Sequence, residues 1–186
     1  MAPERADAAR NRQAILRATE ELLTAHGPDH VSLDRVAQVA GVGKGTVFRR
    51  FGSRTGLFQE LLAERAARIR DAIENGPVPL GPEAPPRDRL LAFLDELAEL
   101  AARNIALFAA HEQACATDKH QDPTYRLWHE HVTGLIAEIR PTADADFLAH
   151  ALLGCFDGDL VREITSNGGV TRLRAALREL ATAVMS

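Results

Sequence analysis

The run Ser32-Leu33-Asp34-Arg35-Val36-Ala37-Gln38-Val39-Ala40-Gly41-Val42-Gly43-Lys44-Gly45-Thr46-Val47-Phe48-Arg49-Arg50-Phe51-Gly52-Ser53-Arg54 holds two short helical patterns separated by a glycine turn. Ser32 can cap the first helix, and Asp34 favours the positive end of its dipole. That helix is expected to end near Ala40, where Gly41-Val42-Gly43 makes a tight turn. Lys44 to Phe51 then gives two helical turns, with Val47 and Phe51 four apart and facing inward. Two short helices about a glycine turn are the sequence form of a helix-turn-helix, whose second helix enters the major groove of DNA. Lys44 in the first turn opposes the helix dipole, and Gly45 costs about 1 kcal/mol of helix propensity against Ala. Stability alone would choose neither, whereas a phosphate-binding surface would choose both: the amides and Lys44 point at an anion, and Gly45 lets the backbone approach closely. Thr46, Arg49 and Arg50 occupy the remaining faces, where threonine can touch a base edge and arginine can read guanine or hold phosphate.

Outward from this motif the patterns stay helical. Ile15, Leu16, Thr19, Leu22 and Leu23 fall at helical spacing between about Ala8 and His26, and Gly27-Pro28 ends that helix. Ser53 caps a fourth helix with a stripe of Leu57, Phe58, Leu61, Leu62 and Ile69 running to Asn75. Residues 75–86 hold five prolines and two glycines, so no regular element runs through them. Further helices are expected at about 87–102, 104–116, 123–140, 144–165 and 171–185. The chain thus reads as all-α, with about nine helices. Residues 8–52 form a three-helix DNA-binding head, 53–75 a connecting helix, 76–86 a loop, and 87–186 a helical-bundle body. Charge divides along the same line: residues 1–70 carry twelve Lys/Arg against eight acids, a net +4, and residues 71–186 carry −8, within a total of −4. A basic head on an acidic body is expected when one end faces phosphate.

Residues 12–62, above all Ser32–Ala37 and Gly41–Arg54, resemble the DNA-binding domain of TetR-family repressors. The resemblance covers just over a quarter of the chain. It implies that Lys44, Gly45, Thr46, Phe48, Arg49 and Arg50 lie on the DNA-contacting helix, with Ser32 and Gly43 at the helix starts of the same surface. It also places Arg54 on a phosphate-binding position at the start of the fourth helix. Gly43 stands where the family usually has a capping serine, at a cost of a few tenths of a kcal/mol. Phe48 stands where it usually has a tyrosine, so a hydroxyl contact to phosphate is absent. The resemblance further implies a ligand-binding and dimerisation body, and repression as the default mode of action.

Within the body only pattern guides the reading. An apolar pocket with a few polar groups would draw on Phe93, Phe108, His111, Cys115, Trp128 and Phe156. The last two helices are the expected dimer elements, through Phe147, Leu148, Ala151, Leu152, Leu173, Leu177 and Leu180, with Arg162, Arg172, Arg174 and Arg178 placed to pair across the interface with Asp157 and Asp159. A twofold dimer would set two recognition helices about one DNA turn apart on a palindromic operator. The expected partners are therefore operator DNA, a small-molecule effector and a second copy of the chain.

Several classes are set aside. No apolar h-region and no run of about 18 apolar residues occurs, so the expectation is a soluble, cytoplasmic protein without a membrane partner. Gly45 interrupts Lys44 and Thr46, which breaks the Walker spacing. No Ser/His/Asp elbow or zincin motif appears, so no catalytic residue and no cofactor are expected. His111 and Cys115 lie one helical turn apart without identifiable third and fourth ligands, and no metal is expected. The rival readings are a helical protein-interaction module that does not bind DNA and an enzyme housed in the body.

Overall fold

The computed structural model describes residues 2–105 and 122–186, and every regular element among them is helical. The elements are α1 (Ala2–His26), α2 (Leu33–Ala40), α3 (Lys44–Phe51), α4 (Arg54–Asn75), α5 (Pro86–Arg103), α6 (Pro123–Ile139), α7 (Ala145–Gly154), α8 (Gly158–Ser166) and α9 (Gly169–Val184). They pack as two compact units, Met1–Leu62 and Ala63–Ser186, and the chain passes from one to the other along α4.

In the first unit the apolar face of α1, made of Ile15, Leu16, Ala18 and Leu22, is buried together with Val31, Val36, Ala37, Val47, Phe51, Leu57, Phe58 and Leu61. Each large side chain so buried contributes about 1.5–3 kcal/mol. Thr19 is wholly buried among them and donates its hydroxyl to the Ile15 carbonyl at 2.8 Å, which removes the penalty of an unpaired polar group. α1 begins earlier than the periodicity suggested, because its first turns carry charge rather than a stripe that marks a boundary.

In the second unit α5 is the central element. Leu90, Phe93, Leu94, Leu97, Ala98 and Ala101 are all buried, and α5 packs on α6, α8 and α9. Pro86 occupies the first helical position, where its missing N–H costs nothing. Asp95, only 8 % exposed, is held from α9: Arg174 Nη2 and Arg178 Nε each donate at 3.1 Å, and Arg174 Nη1 lies 3.4 Å from Glu99. Burial pushes the Asp95 pKa up, but the hydrogen bonds and charges of Arg178 and Arg174 outweigh it and hold the carboxyl below its ordinary value. The end of α9 is also tied down, by Arg140 donating to the Val184 carbonyl at 2.7 Å and Arg87 to that of Met185.

Three expectations for the body need correction. The single helix over 144–165 is two, α7 and α8, because Asp157 turns the chain and accepts from the amides of Asp159 and Leu160, both at 3.1 Å. Leu152, Leu173 and Leu177 are buried inside the protomer, so they offer no surface to a partner. The arginines expected to reach across an interface are engaged within the chain: Arg162 with Asp159, Arg172 with the Asn167 carbonyl, and Arg174 and Arg178 with Asp95. The helix expected at 104–116 lies, from residue 106 on, outside the described residues.

Candidate nucleic-acid interface

The motif forms as its residues dictate. Ser32 Oγ accepts from the Arg35 amide at 3.2 Å and caps α2, and Gly41, at φ 66°, ends it in the left-handed conformation that glycine adopts without strain. The Val42 amide returns to the Ala37 carbonyl at 3.0 Å, closing the turn. Gly43 precedes α3 in an extended conformation and supplies no side-chain cap. Ser53 Oγ accepts from the Gly56 amide at 3.0 Å and starts α4. Gly56 itself lies so close to the Phe51 carbonyl oxygen that no Cβ would fit, which seats α4 tightly against the end of α3.

Val47 and Phe51 anchor α3 in the core, and this orients everything else on the helix outward. Lys44, Gly45, Phe48, Arg49 and Arg50 are exposed, Phe48 by 61 %, and Thr46 is half-buried. A Cβ added at Gly45 would meet no protein atom within 4 Å, so nothing inside the protein calls for glycine there. Lys44 Nζ lies 2.8 Å from Asp34 Oδ2, with both side chains largely exposed. Arg54 sits with its guanidinium 5.2 Å from the centre of the Phe58 ring and 3.7 Å from Asp29. Among the described residues Arg49 and Arg50 make no ion pair. Both arginines and Thr46 line a cleft of about 700 Å³ with Asp7, Ala8, Asn11, Ile15 and Glu60. Arg12, on α1, donates to Glu60 at 2.8 Å. The structure thus brings the residues of α3 onto one outward face and adds α1 residues, Asn11 above all, that the sequence reading did not include. Asn11 falls at a polar position of a helix read only for its apolar stripe.

In the body, Phe93 is fully buried and meets Trp128 and His131 edge to face, at centroid separations of 6.5 and 5.0 Å. Burial, and then the charge of Arg89, pushes the His131 pKa down to about 4, so its ring is neutral at pH 7. Trp128 Nε1 and His131 Nε2 are buried without a hydrogen-bond partner among the described residues. Phe156 is buried, while Phe108, His111 and Cys115 lie outside the described residues. Of the expected dimer residues, Phe147 and Leu180 are 65 % and 41 % exposed, Ala151 is exposed and Leu148 half-buried. Among the described residues no helix is long and apolar enough to cross a membrane.

A core-anchored short helix that turns its cationic face outward, entered through a glycine turn from a capped partner helix, defines a helix-turn-helix DNA-binding protein. Residues 15–61 match the model of the bacterial regulatory proteins of the tetR family, and the helix-turn-helix head is similar to the DNA-binding domain of those transcriptional regulators. The HTH-type transcriptional regulator SAR0097 of Staphylococcus aureus is 26 % identical over 91 % of this chain and 90 % of its own length. The HTH-type transcriptional repressor AcnR of Corynebacterium glutamicum is 33 % identical over 36 % of each chain. The crystal structure of a putative TetR-family transcriptional regulator from Rhodococcus sp. shares the fold, with a TM-score of 0.67 at 23 % identity, over 96 % of this chain and all of that one.

Proposed function

We propose that the protein is a homodimeric repressor that binds a palindromic operator through α3 and leaves it when a small molecule occupies the body. The observation that carries this reading is the outward face of α3, where Arg49 and Arg50 stand without acidic partners among the described residues and Gly45 leaves the backbone open. In the bound state Lys44 and Arg54 hold phosphates, Thr46, Arg49 and Arg50 meet base edges, and Phe48 packs on sugar or a thymine methyl. Ser32 and Gly43 set the two helix starts that aim this surface.

The dimer forms through the surface-exposed members of the expected face, Phe147, Ala151 and Leu180, with Leu148 at its edge. The effector site draws on the aromatic cluster of Phe93 and Trp128, with His131 added to the residues expected from sequence, and on the buried Phe156. Trp128 Nε1 and His131 Nε2, buried without a hydrogen-bond partner among the described residues, supply polar groups that would orient a ligand. For release, the effector must bind the low-affinity state better, and a coupling of about 1–3 kcal/mol gives a 5- to 150-fold change in operator affinity.

The test is binding of the purified protein to the DNA upstream of its own gene at two salt concentrations, with Lys44→Ala and Arg50→Ala beside the wild type. Salt-sensitive, sequence-selective binding by two subunits, weakened in both variants, supports the reading. Equal binding by all three proteins, or association with a protein partner that survives high salt and ignores DNA, overturns it in favour of an interaction module.

A further inference from the structure

The chemistry-bearing residues left unused by DNA reading gather on one seam of the body. Tyr125 and His129 stand four apart on α6, and Asp146 and His150 four apart on α7, so each helix presents its pair on one face. The two helices pack together, and the pairs meet. His129 Nε2 lies 3.4 Å from Asp146 Oδ1, His150 Nε2 lies 4.0 Å from Asp146 Oδ2, and the two imidazole centroids are 4.0 Å apart. One ligand atom from each of the three residues falls within 4.8 Å of the others.

We propose that His129, Asp146 and His150 bind a first-row divalent transition-metal ion, zinc being the representative case, with Tyr125 as a positioning residue. Zinc–nitrogen and zinc–oxygen bonds of about 2.0–2.2 Å at tetrahedral angles put neighbouring ligand atoms about 3.4 Å apart. The His129–Asp146 separation already has that value, and the other two, none above 4.8 Å, close by rotation of the Asp146 carboxylate, whose side chain is 72 % exposed, and by a shift of the two imidazoles toward the ion. His150 uses Nε2 toward the ion, because its Nδ1 is bonded to the Tyr125 hydroxyl at 2.5 Å. Such an outer hydrogen bond fixes the ring and its tautomer, as partners of metal-bound histidines ordinarily do.

The residue types choose the class of ion. Two imidazoles and one carboxylate suit zinc, nickel or copper, whereas magnesium and calcium demand oxygen ligands. Three protein ligands leave the fourth position to water, from a cleft of about 230 Å³ that Tyr125, Arg126, His129, Glu130 and His150 line. Arg126 and Glu130 carry opposite charges there, so the cleft adds no net repulsion toward a cation. A bound ion would pin α6 to α7, the helix that also bears Phe147 and Ala151.

The experiment is a calorimetric titration of zinc into chelator-treated full-length protein at neutral pH. The wild type and His26→Gln, which alters an exposed histidine of the head, are expected to bind one zinc per chain. The double variant His129→Gln/His150→Gln is expected to bind at least 100-fold more weakly, and Tyr125→Phe about 10- to 100-fold more weakly. Magnesium is expected to give no heat of binding. Should the double variant fail to fold, judged by circular dichroism, the cobalt-substituted wild type decides. Visible ligand-field bands without thiolate charge transfer support the histidine site, and charge transfer would place the ion on Cys115 or Cys155 and overturn it. No binding by the wild type, or unchanged affinity in a folded double variant, overturns it as well.

Discussion

α2 and α3 are neighbours of equal length, eight residues each, and they are built on opposite rules. α2 has a serine cap bonded to its first turn and an acid at its positive end. α3 has no side-chain cap, a lysine where the dipole is positive, a glycine at its second position and two arginines in its last turn. Only the arginines suit its dipole. α2 is a helix whose local signals all favour its formation, and α3 a helix held in place by Val47 and Phe51 so that its ends can serve something outside the protein. The departures from local stability, rather than the helical pattern, mark which of the two meets DNA.

The contrast can be broken most sharply through Arg49 and Arg50. Arg49→Ala combined with Arg50→Ala is expected to lower operator affinity by tenfold or more for each arginine that reads a base, while the thermal midpoint stays within a degree or two, since neither side chain is buried. A large fall in melting temperature would mean that these side chains hold the fold. Ser32→Ala is expected to cost about 1 kcal/mol of head stability in urea unfolding, because α2 relies on its cap. Gly45→Ala is expected to move the other way, stabilising the head by up to about 1 kcal/mol while weakening DNA binding. Stabilisation with undiminished binding would show that the glycine serves no backbone approach. The smallest effect belongs to Gly43→Ser, whose added Cβ meets only Thr46 Oγ1 at 3.8 Å: a few tenths of a kcal/mol of stabilisation, read as a shifted urea midpoint.

The head was legible because its signals are local. Ser32, Gly41, Gly52 and Ser53 act through hydrogen bonds and backbone angles spanning a few residues, and the spacing of Val47 and Phe51 fixes which way α3 faces. What stayed hidden there involves residues far apart in sequence: Asp34 beside Lys44, Glu60 beside Arg12, Asp29 beside Arg54. The body was less legible for two physical reasons. α7 is apolar on more than one face, so the sequence cannot tell that Leu152 turns inward and Phe147 outward. The break between α7 and α8 rests on Asp157 and Gly158, an N-cap signal masked by the apolar run of Leu152, Leu153 and Phe156 around it. The pairs Tyr125/His129 and Asp146/His150 were not singled out from the sequence, because only the packing of α6 on α7 gives them a common site.

The ion pair between Lys44 and Asp34 has a consequence for counting ions. Lys44 carries its neutralising partner before it ever meets a phosphate, 2.8 Å away. When phosphate takes the lysine, a cation condensed on the DNA is set free, while Asp34 is left to water, because an isolated surface carboxylate condenses no counterion as DNA does. Lys44 therefore counts among the released ions as Arg49 and Arg50 do, but its contact begins with the loss of an existing pair. Its share of the salt dependence exceeds its share of the affinity.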